Sequence, residues 1–62
     1  MSGVVVLGAD AEAVADRVAA LRTEGVRAAG FVGGPDEGPA AEAMAAELFG
    51  PDGTVFFADP AP

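Results

Sequence analysis

The hydrophobic pattern changes period along the chain, and each change marks an element. Val4-Val5-Val6-Leu7 is an unbroken apolar run closed by Gly8, which suits a strand covered on both faces better than an alternating, half-exposed one. From residue 11 the large apolar residues thin to Val14, Val18 and Leu21. That i, i+4, i+7 spacing predicts a helix over 11–24, with Ala11 and Ala15 widening its apolar stripe. Asp10 stands at the N-cap position, and Gly25 suits the C′ position that ends such a helix. Residues 26–32 return to small and branched side chains and predict a second strand, with Gly30 allowing close approach of a neighbouring backbone.

Gly33-Gly34-Pro35-Asp36-Glu37-Gly38 predicts a turn-rich loop, and Pro39 a helix start. Ala41, Met44, Ala45 and Leu48 share one face of a helix that stops before Gly50-Pro51. The turn Pro51-Asp52-Gly53 then leads into Thr54-Val55-Phe56-Phe57-Ala58 as a third strand, ended by Asp59-Pro60-Ala61-Pro62. Phe56 and Phe57 point to opposite faces of it.

Strands alternating with helices imply parallel pairing through right-handed crossovers. With the first strand central, the two crossovers run in opposite directions and place one helix on each face. The expectation is one small α/β domain spanning residues 1–62, a three-stranded parallel sheet of half-Rossmann-like form. One helix per face cannot cover three strands, and two edges stay open.

Composition sharpens this picture. Of the residues counted as hydrophobic, 15 are Ala, and without Met1 only 16 large apolar side chains remain. Chains below roughly 80 residues usually need a staple or a partner. The absence of Cys removes disulfides, and with no His either, a structural zinc has no ordinary ligands. Association with itself or with a larger protein subunit is therefore the expected source of extra stability.

The same inventory excludes chemistry. Without His, Cys, Lys or Tyr, no nucleophile with its usual base and no Schiff base can be built. A net charge of −7, with Arg17, Arg22 and Arg27 as the only cations, argues against nucleic acid and anionic membrane as partners. None of the arginines has an acid four residues away along the predicted helix, so all three read as solvated. No apolar stretch approaches membrane-spanning length, and Met1-Ser2-Gly3 lacks the positive region of a signal peptide. A soluble cytoplasmic chain is expected.

In open parallel α/β sheets, ligands bind beyond the carboxyl ends of the strands. Those ends carry Asp10, then Gly33, Gly34, Asp36 and Glu37, then Asp59. Asp10, Asp36 and Asp59 are candidate Mg²⁺ ligands, since hard cations take carboxylates and water. Caps and turns are the commoner use of the same residues. Gly33 and Gly34 are candidates for presenting backbone amides to a phosphate, although Asp36 and Glu37 bring negative charge to the same place.

The stretches Val4-Val5-Val6-Leu7-Gly8-Ala9-Asp10-Ala11-Glu12-Ala13, Ala20-Leu21-Arg22-Thr23-Glu24-Gly25-Val26-Arg27-Ala28, Glu42-Ala43-Met44 and Phe49-Gly50-Pro51-Asp52-Gly53-Thr54-Val55 resemble the short-chain dehydrogenase/reductase family, over its second to fourth strands. The resemblance implies a Rossmann fold, NAD(H) or NADP(H), and oxidation of alcohols or reduction of carbonyls. The family's glycine-rich turn and catalytic Ser and Tyr-x-x-x-Lys lie outside the matched region. Where that family reads the adenosine ribose, this chain has Ala9 and Asp10; Gly34 stands at the adenine pocket, and Ala58-Asp59-Pro60-Ala61 ends the last strand. The expected role is therefore a non-catalytic small subunit or interaction module that binds no cofactor alone. The alternatives are a dehydrogenase-like piece supplying part of a dinucleotide pocket within an assembly, and an acidic Mg²⁺-binding module.

Overall fold

A computed structural model describes residues 2–58. Strand β1 (Gly3–Gly8) is central in a three-stranded, all-parallel sheet, flanked by β2 (Ala28–Val32) and β3 (Gly53–Phe57) in the order β2-β1-β3. Helix α1 (Ala11–Thr23) connects β1 to β2, and α2 (Gly38–Phe49) crosses from β2 to β3. The α/β half-Rossmann-like expectation holds, with one helix on each face.

The unbroken apolar run explains why β1 is central. Its residues alternate between two separate cores, and Val5, Val6 and Leu7 are completely or almost completely buried. Val5 and Leu7 pack with Ala41 and Ala45 of α2, joined by Phe31, Met44, Phe49 and Val55. Val6 packs with Val14, Val18 and Ala28 on the α1 side, joined by Val4, Leu21 and Ala58. Helix α1 lies over β1 and β2, whereas α2 lies over β1 and β3. Each helix thus covers two strands of three, and the uncovered strand differs between the faces.

Local chemistry sets the boundaries of α1. The Asp10 carboxylate accepts the Glu12 N–H at 3.0 Å as an N-cap. At the other end, the Val26 N–H donates to Leu21 O at 2.9 Å and the Gly25 N–H to Arg22 O at 3.0 Å. With Gly25 at φ +84°, this is a Schellman cap. The cap uses Val26 to close the helix, so β2 begins at Ala28 and not at Val26 as the side-chain pattern suggests.

Other expectations need correction. The loop before α2 contains a 3₁₀ turn, Pro35–Glu37, that runs directly into the helix at Gly38, one residue before the expected Pro39. A second 3₁₀ turn, Gly50–Asp52, feeds β3 at Gly53, and the strand ends at Phe57 instead of Ala58. Leu48, expected on the apolar face of α2, is 54% exposed. Ala11 and Ala15 are exposed too, because Val14 and Val18, with Leu21 beside them, aim α1 at the sheet. Gly30 accommodates a side chain and not a backbone: a Cβ there would lie 2.8 Å from Val14 Cγ1. Among the described residues, no helix is long and apolar enough to cross a membrane.

Candidate functional site

The carboxyl rim of the sheet is built from the ends of β1 and β2. Gly33 donates its N–H to Gly8 O at 2.9 Å, which ties the two ends together and commits one of the two amides considered for phosphate binding. Gly34 O accepts the Glu37 N–H at 3.0 Å and closes the first 3₁₀ turn. The acidic side chains of that turn fold back over the glycines: a Cβ on Gly33 would meet Glu37 Cγ at 2.9 Å, and one on Gly34 would meet Asp36 Oδ1 at 2.8 Å. The glycines leave room for these side chains, and the approach to their backbone is negative.

Asp10 is exposed at the start of α1, where its carboxylate serves the Glu12 N–H. Asp36 is exposed in the 3₁₀ turn. Asp59 lies outside the described residues. Among the described residues, no three His, Cys, Asp or Glu side chains form a group that could hold a metal ion. In the structure Asp10 caps α1, Gly33 links two strand ends, and Gly34 and Asp36 belong to the 3₁₀ turn and its start. An anion placed at Gly33-Gly34 would meet the Asp36 and Glu37 carboxylates with no Lys or Arg in that loop. Calorimetric titration of the isolated chain with NAD(H) and NADP(H) is accordingly expected to be flat to about millimolar. Saturable micromolar binding lost in Asp10→Ala would contradict this.

Two hollows among the described residues lie elsewhere. One of about 390 Å³ lies at the amino end of the sheet, where Arg22, Gly25, Val26, Arg27, Ala28 and Phe49 meet. Another of about 390 Å³ runs along the outside of β3, between that strand and α2, and reaches Glu42, Val55 and Phe57. The second follows an open strand edge.

The two edges of the sheet differ. In a strand, the N–H and C=O of one residue point to the same side, and the side alternates along the chain. Arg27 O accepts the Val4 N–H at 2.9 Å and Gly33 donates to Gly8 O, so odd residues of β2 face β1 and Ala28, Gly30 and Val32 face outward. Arg22 occupies that edge, donating from Nε and Nη2 to Ala28 O at 3.2 and 2.9 Å. This corrects the reading of Arg22 as merely solvated, because its guanidinium covers the Ala28 end of the β2 edge, while Val32 at the other end is 56% exposed.

On the other side, Ala58 donates to Leu7 O at 2.8 Å, so Thr54 and Phe56 turn their peptide groups toward β1 while Val55 and Phe57 turn theirs outward. Among the described residues, no side chain hydrogen bonds to these outward groups. Phe56 and Phe57 stand on opposite faces of this edge, 42% and 53% exposed. Arg17 is not simply solvated either: its guanidinium carbon sits 4.9 Å from the centre of the Phe56 ring, a cation–π contact. The sequence pattern predicts open edges but not which one is covered at one end. That depends on Arg22, six residues before its acceptor.

No family model, curated protein or solved structure matches the chain.

Proposed function

We propose that the chain is a non-catalytic assembly module whose sheet is completed by another polypeptide, either itself or a larger protein subunit. The observation that carries this reading is the contrast between the edges: Arg22 takes the outward Ala28 carbonyl of β2, whereas β3 presents the outward peptide groups of Val55 and Phe57 beside exposed Phe56 and Phe57. Unpaired strand edges of this kind are templates for strand addition. Size supports the same reading, since 16 large apolar side chains, several of them exposed, leave a folding balance close to zero for a chain this short. The absence of His, Cys, Lys and Tyr leaves little for a catalytic reading to use.

Sedimentation of the isolated chain at micromolar concentration is expected to show two or more chains per particle, with a melting temperature that rises with concentration. A single-chain particle with a sharp, concentration-independent melt would overturn the proposal.

A further inference from the structure

The β3 edge itself narrows the choice of partner. We infer that its occupant is a second copy of the chain, paired antiparallel through β3 about a two-fold axis at Phe56. This rests on the assembly role proposed above. Opposite residues of an antiparallel pair alternate between exchanging two backbone hydrogen bonds and exchanging none. An axis at Phe56 sets Val55 opposite the partner's Phe57, and Phe57 opposite the partner's Val55. All four N–H and C=O groups of Val55 and Phe57 in each copy then find partners. An axis at Val55 would pair Phe57 with the partner's Gly53, and the Gly53 N–H already donates to Gly50 O. Phe56 falls at a non-bonded position, where facing Cα atoms come within about 4.5 Å and the two rings shield each other.

Charge also bears on a second copy. Two chains of −7 each must meet where repulsion is least; Gly53–Phe57 carries no ionisable side chain, and Glu42 is the acid that lines the hollow on its α2 side. Beside this edge, Ala13, Asp16, Arg17 and Ala20 of α1 line one hollow together with Ala58. Their i, i+3, i+4, i+7 spacing makes a stripe along the helix. A two-fold axis reads the stripe in reverse, setting Asp16 toward the partner's Arg17, Arg17 toward the partner's Asp16, and Ala13 toward the partner's Ala20. The stripe complements itself, which is the property a two-fold interface requires. The pair forms a six-stranded sheet of order β2-β1-β3-β3-β1-β2, with Arg22 covering the Ala28 end of each outer edge.

The test uses the full chain. Val55→Pro deletes an outward N–H while leaving the β1–β3 hydrogen bonds intact, the one kind of strand position that tolerates proline. Native mass measurement is expected to give two chains for the unaltered protein and one for V55P, with the same far-ultraviolet circular dichroism. Because the chain has no Cys, Phe56→Cys offers a single thiol at the axis, and mild oxidation is expected to give a covalent two-chain product that reductant reverses. F56C decides the matter should V55P fail to fold. A two-chain mass that persists in V55P, with no F56C product, would overturn the β3 seam while leaving the assembly role standing. A chain that is single alone but joins a different subunit, and loses it in V55P, would also overturn the second copy and keep the assembly role. A single chain that joins nothing through this edge overturns both.

Discussion

Val18→Asp is expected to destabilise the fold by about 3–5 kcal/mol, the range for a charge buried without a partner. Val18 is only 9% exposed and packs with Val6, Val14 and Ala28. A carboxylate there must ionise in an apolar setting, take up a proton, or pull α1 away from the sheet. At the usual 0.05–0.15 kcal/mol per residue the assembled protein would have about 3–9 kcal/mol per chain, and the chain alone less. The substitution therefore consumes much or all of it. Glu12→Ala, at an exposed position of the same helix, is expected to stay within about 0.5 kcal/mol. Urea titration followed by circular dichroism separates the two, and equal midpoints would show that the assigned face of α1 is wrong.

The second large effect is expected at Gly53. A Cβ there would lie 2.5 Å from Ala45 O and 2.9 Å from Ala45 C. These are backbone atoms of α2, so no change of rotamer relieves the clash; α2 and β3 must separate. Gly53→Ala is expected to cost about 1–3 kcal/mol, as overpacking does. Gly38→Ala is the contrasting case, because its new Cβ would meet nothing closer than Phe57 Cζ at 3.9 Å and its backbone is already helical. It is expected to be neutral or to stabilise by up to about 1 kcal/mol. Thermal melts of the two variants side by side test the contrast, and a G53A protein as stable as the parent would mean that α2 does not seat against β3 as described.

These two positions also illustrate what the sequence discloses. Val18 is legible from spacing, because a helix three turns long with large apolar residues only at Val14, Val18 and Leu21 has one way to face a sheet. The β1 run is legible for a similar reason, since four consecutive apolar residues need cover on both sides. Gly53 reads from sequence as one residue of a turn, and its packing against Ala45 O follows from how closely α2 approaches β3. Leu48 fails for the same kind of reason: helical period assigns it to the face of Ala41 and Ala45, yet α2 settles on its alanines and leaves it outside. The start of β2 is displaced because Val26 closes the Schellman cap, a backbone demand that side-chain periodicity does not register.

At the rim, Asp10 is legible as a cap from its position before the apolar period. The return of Asp36 and Glu37 over Gly33 and Gly34 depends on the 3₁₀ geometry of the turn. The open edge could be inferred from the number of strands and helices alone. The difference between the edges needed the bond from Arg22 to Ala28 O, a choice between solvent and a strand carbonyl six residues on that side-chain periodicity does not register.

The division of β1 between two cores bears on how the molecule comes apart. The clusters beneath α1 and α2 have no buried residue in common, and Val6 of one lies between Val5 and Leu7 of the other along a single strand. Neither half can melt without releasing the strand that anchors the other. Partial opening therefore has no stable stopping point in the middle of the sheet, and the slowest amide exchange belongs to Val5, Val6 and Leu7, whose N–H groups open only when the whole molecule does.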